Sequence, residues 1–266
     1  MTNLDSKQEH GEEHSDEDVA VKPTRRGIYL LPNLFTTGAL FAGFFAIVQA
    51  MNGRYEQAAV AILVAMILDG LDGRVARLTN TQSAFGAEYD SLSDMVSFGV
   101  APALVMYSFA LKDMGKLGWI AAFVYCAAAA LRLARFNTML AVQDKRWFMG
   151  LPSPAAAALV AGFVWLTVDN QIEMSGVEAR WAAWCIMMFA GISMITNLAF
   201  YSGKDFNLKR SVPFLVIVLV ALGFSLISLD PPIVLFLIFL GYGISGYVLW
   251  LKRRYFRKNT VLPRQN

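Results

Sequence analysis

Four aspartates, three small residues and one arginine between positions 69 and 94 are the residues whose types and spacing could do chemistry. The stretch reads Asp69-Gly70-Leu71-Asp72-Gly73-Arg74-Val75-Ala76-Arg77, then eight residues, then Gly86-Ala87-Glu88-Tyr89-Asp90-Ser91-Leu92-Ser93-Asp94. On helices, steps of three and four residues share a face, so Asp69, Asp72, Gly73, Ala76 and Arg77 form one stripe. Gly86, Asp90 and Asp94 form a second, and antiparallel neighbours joined by a short loop can turn the two stripes toward each other. Four converging carboxylates repel, and two close ones would otherwise share a proton. Divalent cations remove that conflict, and an all-carboxylate oxygen set selects hard ions such as Mg²⁺ or Mn²⁺, which also bind substrate phosphates. Gly73, Ala76 and Gly86 clear space for a bulky diphosphate or nucleotide, and Arg77 offers its oxygens a fixed cation. Helix packing explains Gly70 or Ala76 taken singly. It does not explain four aligned aspartates.

The elements that must hold these stripes are membrane helices. Hydrophobic residues make up 56% of the 266 residues and charged ones 16%, with a mean hydropathy of +0.48. Eight apolar blocks follow one another at about 28–51, 55–78, 88–111, 117–140, 152–169, 179–201, 212–229 and 231–251. Blocks near twenty residues are long enough to cross a hydrocarbon core of ~30 Å as helices, which predicts an all-α polytopic membrane protein. The seventh and eighth are separated by little more than Asp230-Pro231-Pro232, a sharp turn that permits one hairpin or two tilted spans. Inside such spans an ionised Asp costs about 2.5–3.5 kcal/mol on insertion scales, so the aspartates call for a functional explanation.

Charge placement orients the chain. With a cytoplasmic N-terminus, eighteen basic residues fall on the inner side and four, Arg54, Lys112, Lys116 and Arg180, on the outer. Setting aside Arg74, Arg77, Arg132 and Arg135 still leaves fourteen to four, which predicts both termini and the second-to-third connection in the cytoplasm. Residues 1–24 are acidic and polar, too poor in apolar groups to bury a core, and read as a disordered tail. His10 and His14 within it have a metal-pair spacing without a framework to hold it. The formal charge of +3 argues against a nucleic-acid partner. Cys126 and Cys185 both lie in apolar blocks and read as small helix residues, not as a disulfide. The first apolar segment begins near Ile28, behind the acidic tail, and carries no small-residue cleavage pattern at its end, so no cleavable signal peptide is expected.

The motif resembles the signature of the CDP-alcohol phosphatidyltransferase family, D-x-x-D-G-x-x-A-R-x8-G-x3-D-x3-D, at all eight fixed positions: Asp69, Asp72, Gly73, Ala76, Arg77, Gly86, Asp90 and Asp94. The resemblance implies a six-helix catalytic core over 25–201 and two additional helices over 202–252, with a basic cytoplasmic tail at 253–266. It implies that Asp69, Asp72, Asp90 and Asp94 hold two divalent ions, with Asp94 also the general base. Gly73, Ala76, Arg77 and Gly86 would hold the CDP moiety, with Ser83 in the loop between. Pro32-Asn33-Leu34-Phe35-Thr36 resembles the family's P-N-x-x-T element, which places Asn33 and Thr36 by the nucleotide; a helix-entry proline and a buried polar pair is the structural alternative.

The implied reaction moves a phosphatidyl group from CDP-diacylglycerol to an alcohol with release of CMP. Leu131-Arg132-Leu133-Ala134-Arg135-Phe136-Asn137, Phe148-Met149-Gly150-Leu151-Pro152-Ser153-Pro154-Ala155-Ala156 and Tyr201-Ser202-Gly203-Lys204 are similar to elements of phosphatidylserine synthases. That implies L-serine as acceptor, its carboxylate met by Arg132 or Arg135; snorkelling, positive-inside arginines are the alternative. Glycerol 3-phosphate or inositol phosphate would be the other acceptors, and both call for a denser basic pocket. A carboxylate-bearing transporter is the reading from a different class, but residues 150–266 hold no second copy of the motif. The expected setting is the inner membrane of a bacterium, among membrane lipids, with a homodimer allowed.

Overall fold

The computed structural model describes residues 30–139, 147–172, 176–201 and 214–259. The acidic segment 1–24, residues 202–213 (with the Ser202–Lys204 part of the third similar element) and residues 260–266 lie outside the described residues. The chain is an all-α polytopic membrane protein. Helices α1 (Leu30–Met51), α2 (Tyr55–Leu78), α3 (Ala84–Asp94), α4 (Ala101–Met106), α5 (Lys116–Met139), α6 (Ser153–Asp169), α7 (Val177–Ile195), α8 (Phe214–Leu229) and α9 (Pro231–Asn259) fall on the apolar blocks. Among the described residues four stretches, Leu31–Met51, Ala84–Met114, Lys116–Met139 and Pro231–Tyr255, are long and apolar enough to cross a membrane. Helix α2 has the length, at 24 residues, but carries the charged half of the motif.

The third block departs from one regular helix. It starts earlier than expected, at Ala84, and contains two π-helical stretches, Met95–Val100 and Tyr107–Leu111, on either side of α4. Pro102 gives a physical reason for irregularity, because it has no N–H for the Phe98 carbonyl four residues back. The fully buried Tyr125 of α5 donates its hydroxyl to that carbonyl at 3.0 Å. In lipid no water stands by to do so.

Hydroxyls on this same span tie it to α1. Ser93 donates to the Thr36 carbonyl at 3.1 Å, Ser97 to Ala39 at 3.0 Å and Ser108 to Ala50 at 3.4 Å. Gly43 makes the approach possible, since a Cβ there would sit 2.6 Å from Cα of Ser97. Small residues let helix backbones meet closely where no hydrophobic effect drives them together. Helix α6 is the central pillar. It is buried on nearly all sides, from Ala155 through Val164, and packs against α2, α7 and α9, as an apolar-all-round helix must.

Two short strands were not expected. The sequence predicts a sixth block running to 201, but α7 stops at Ile195 and Thr196 is extended. Strand β1 (Trp147–Met149) then pairs antiparallel with β2 (Ala199–Tyr201) in the register Trp147↔Tyr201, Phe148↔Phe200, Met149↔Ala199. The pairing continues as Gly150 N–H to the Leu198 carbonyl and Leu151 N–H to Ser193, both at 2.9 Å. Gly150 is required here: its φ is +80°, and a Cβ would meet the Met194 carbonyl and lie 2.8 Å from Nη2 of Arg135.

The Tyr125–Phe98 bond generates a stability prediction. Tyr125→Phe leaves the carbonyl without its donor and should reduce stability by about 1–3 kcal/mol. Thermal unfolding of the detergent-purified protein checks it, and an unchanged midpoint would remove the hydroxyl from this account.

Candidate active site

The turn between α2 and α3 is built by local sequence. Asn80 takes φ +53°, Thr81 N–H reaches back to Ala76 at 3.0 Å and Asn80 N–H to Arg77 at 3.4 Å. This is a Schellman closure with Asn in the left-handed position. Three residues on, Ser83 caps α3 by accepting from Gly86 N–H at 3.0 Å. One helix stop and one helix start within six residues fold the two stripes face to face.

Ligand oxygens of Asp69, Asp72 and Asp90 lie within 4.8 Å of one another, a group that could hold a metal ion. Asp94 sits beside Asp69 and Asp90, with the Arg132 guanidinium within electrostatic reach. None of the four aspartates forms an ion pair with a described lysine or arginine. Oδ1 of Asp90 is buried and has no hydrogen-bond partner among the described residues. A buried carboxylate oxygen without a donor fits a cation as its missing partner. The donor set is hard oxygen throughout, which suits a divalent ion of the Mg²⁺ or Mn²⁺ kind.

Thr36 supports this set from α1. Its Oγ1 lies 2.7 Å from Oδ2 of Asp72 and 3.1 Å from the Pro32 carbonyl, with one hydrogen shared between them. Thr36 of the P-N-x-x-T element thus touches an aspartate of the cluster directly. Asn33 stands next to Gly86, where a Cβ would come within 3.5 Å of its Oδ1.

A cavity of about 650 Å³ opens beside the aspartates, a size typical of sites for small organic ligands. Its wall includes every residue expected to hold the nucleotide: Asn33, Thr36, Gly73, Ala76, Arg77, Ser83 and Gly86. Asp72, Asp90 and Asp94 also reach it. Arg77 is exposed and turns Nε to the Gly73 carbonyl at 2.8 Å, which fixes the base of its guanidinium.

Arg132 and Arg135 do not form the wall of this cavity. They line a small crevice that shares Phe136 and Phe148 with it. Their surroundings differ. Arg135 places Nη1 and Nη2 on the carbonyls of Met149, Met194, Ile195 and Thr196 and on Oδ1 of Asn197, at 2.8–3.4 Å. Three of those carbonyls end α7, so Arg135 is a cation closing a helix C-terminus. Arg132 is buried, donates Nη1 to Ser153 at 2.9 Å, and has an Nε without a partner among the described residues.

Ser91, Phe136, Asn137 and Phe148 are among the wall residues that sequence reasoning missed. Asn137 donates Nδ2 to Ser91 Oγ at 3.0 Å, and Phe136 and Phe148 complete that side. Ser91 lies within the motif, and Asn137, Phe136 and Phe148 lie within the similar elements. Spacing held no sign that they converge.

A family model for CDP-alcohol phosphatidyltransferase matches residues 29–196. Among curated proteins, the chain is 35% identical over 233 residues to a CDP-diacylglycerol–serine O-phosphatidyltransferase of Helicobacter pylori strain J99, covering 87% of this chain and 97% of that protein. A protein of the same description from Methanocaldococcus jannaschii is 36% identical over 190 residues, covering 70% and 82%. One from Saccharomyces cerevisiae is 40% identical over 139 residues, covering 47% and 50%.

The Thr36–Asp72 bond can be tested without substrate. Thr36→Val should weaken Mn²⁺ binding by about 10–100-fold, as losses of an outer-shell partner do. Titration of the purified protein, followed by the spin resonance of free Mn²⁺, reads this directly. Binding equal to wild type would separate Thr36 from any metal.

Proposed function

The chain belongs to the CDP-alcohol phosphatidyltransferase family, and on that premise we propose that it transfers the phosphatidyl group of CDP-diacylglycerol to the hydroxyl of L-serine. Phosphatidylserine and CMP are the products. The observation that carries the reading is the single cavity in which the aspartate cluster, the small-residue wall and Arg77 meet. The curated relatives above, described as serine O-phosphatidyltransferases, support the choice of acceptor.

Asp69, Asp72, Asp90 and Asp94 would hold the divalent ions, Mg²⁺ or Mn²⁺ and two in number, which neutralise diphosphate charge and stabilise the attacking and leaving oxygens. Gly73, Ala76 and Gly86 admit the CDP group close to backbone, with Asn33 and Ser83 offering polar atoms beside it. Arg77 stabilises charge on the phosphate oxygens. Asp94 accepts the proton of the serine hydroxyl as that oxygen attacks the lipid-linked phosphorus. The bond from this phosphorus to the CMP oxygen breaks, and CMP leaves. Arg132 takes the serine carboxylate. It is the arginine with an unpartnered nitrogen and with Asp94 in electrostatic reach, so an acceptor as short as serine can meet both. Arg135 keeps its five acceptors and holds the neighbouring backbone. The six spans to residue 201 act as the catalytic core, with the site and both termini facing the cytoplasm of a bacterial inner membrane.

A phosphate-bearing acceptor, glycerol 3-phosphate or inositol phosphate, is the alternative. Arg77 is the one basic side chain among the described cavity-wall residues, which favours serine.

Purified protein should release CMP from CDP-diacylglycerol when given serine and a divalent ion, and release with glycerol 3-phosphate alone would refute the acceptor. Asp94→Asn should lower transfer by about 10²–10⁴-fold, the range for loss of a general base, while CDP-diacylglycerol still binds. Normal turnover by that variant would sink the role given to Asp94.

A further inference from the structure

We propose that α9, which lies outside the matched family region, is a positioning element for the acceptor side of the active site and acts through Phe200. The two C-terminal helices sit differently. Helix α8 has its main contact with α9, whereas α9 packs on α6 and on β2. Glycines set the closeness of that packing. A Cβ at Gly246 would lie 2.5 Å from Cε1 of Phe200, and one at Gly243 would lie 3.0 Å from Cε1 of Phe189. Polar contacts fix the register: Tyr242 donates to the Tyr201 carbonyl at 3.2 Å, and the Tyr247 hydroxyl lies 2.8 Å from Ser193 Oγ.

Phe200 transmits this contact. It is fully buried, its ring is 5.7 Å from that of Tyr242, and it is directly opposite Phe148 in the antiparallel pair. Directly opposed residues project to the same face of a ribbon, and Phe148 is a wall of the cavity. From its other end the ribbon runs through Gly150 and Leu151 to Ser153, the partner of Arg132. Arg135 grips the same backbone from α5. A shift of Phe200 therefore moves Phe148 and Ser153, both on the side where serine is placed, and leaves the nucleotide wall on α1, α2 and α3 untouched. The inference rests on the proposed position of the acceptor beside Arg132.

The test uses the full-length protein, purified in detergent and assayed in mixed micelles with CDP-diacylglycerol. The wild type is assayed first with serine, glycerol 3-phosphate and inositol phosphate. A failure of the serine reading appears there, and the variants are measured with whichever alcohol the wild type uses. Gly246→Ala should raise the acceptor KM about ten- to a hundredfold, as a displacement remote from the chemistry can, with the KM for CDP-diacylglycerol unchanged. Adding Phe200→Leu, which shortens the opposing ring, should restore most of the loss. Tyr242→Phe keeps the fold's volume and should raise the same KM by about two- to tenfold, the weight of one hydrogen bond, so it carries the test if Gly246→Ala does not fold. Equal losses toward both substrates, or no change in either variant, would reduce α9 to membrane packing and overturn the inference.

Discussion

Carboxylates that converge without a counter-cation repel one another, and the neighbouring elements are arranged to keep four of them together regardless. The Schellman closure at Asn80 and the Ser83 cap fold α3 back against α2. Thr36 then takes one oxygen of Asp72 from the side of α1, and α1 is itself held by Ser93 and Ser97 of the aspartate-bearing span. Each of these bonds is short-range, yet together they fix where the carboxylates stand relative to three helices. A cation held by Asp69, Asp72 and Asp90 would complete the set by relieving that repulsion.

A second constraint comes from lipid, where backbone groups must find partners within the protein. Pro102 takes away one donor and Tyr125 supplies another. The end of α7 exposes carbonyls that Arg135 gathers. These repairs shape the cavity around Phe148, because Arg135 also binds Met149 beside it in the β1–β2 ribbon. Arg135, one of the two arginines expected to meet a carboxylate, is occupied with backbone, whereas Arg132 one helical turn earlier is buried and bonded to Ser153.

The cavity wall on α2 and α3 is legible in the sequence, because two consecutive helices translate periodicity directly into a shared face. Asn33 and Thr36 were legible through a short pattern on the preceding helix. The side with Arg132 and Phe148 is legible only as separate elements, since it assembles from α5, the ribbon and the start of α6, whose meeting depends on tertiary contacts with no fixed spacing. Asn137 and Ser91 are 46 positions apart in their hydrogen bond. The ribbon escaped notice for a related reason: Ala199–Tyr201 is as apolar as a helix end, and only the extended turn at Thr196 separates the two. Blocks of hydrophobicity locate spans well but do not register where a helix is stopped by carbonyl capture. The same limit applies to the start of α3, where a serine cap and polar residues preceded the apolar run.

The span from Ala84 to Met114 is 31 residues long, which at 1.5 Å per residue is about 46 Å, against a hydrocarbon thickness of ~30 Å. The surplus has to sit among headgroups. Its first three turns hold Glu88, Asp90, Ser91 and Asp94, so they are the part with reason to emerge. Emergence there would bring the carboxylates toward the depth where a membrane lipid carries its phosphates. A lipid-linked nucleotide of the kind proposed as donor would then reach the cavity by sliding within one leaflet, its acyl chains never leaving the bilayer. Encounter would become a two-dimensional search, with only the proposed acceptor and the departing nucleotide crossing into water.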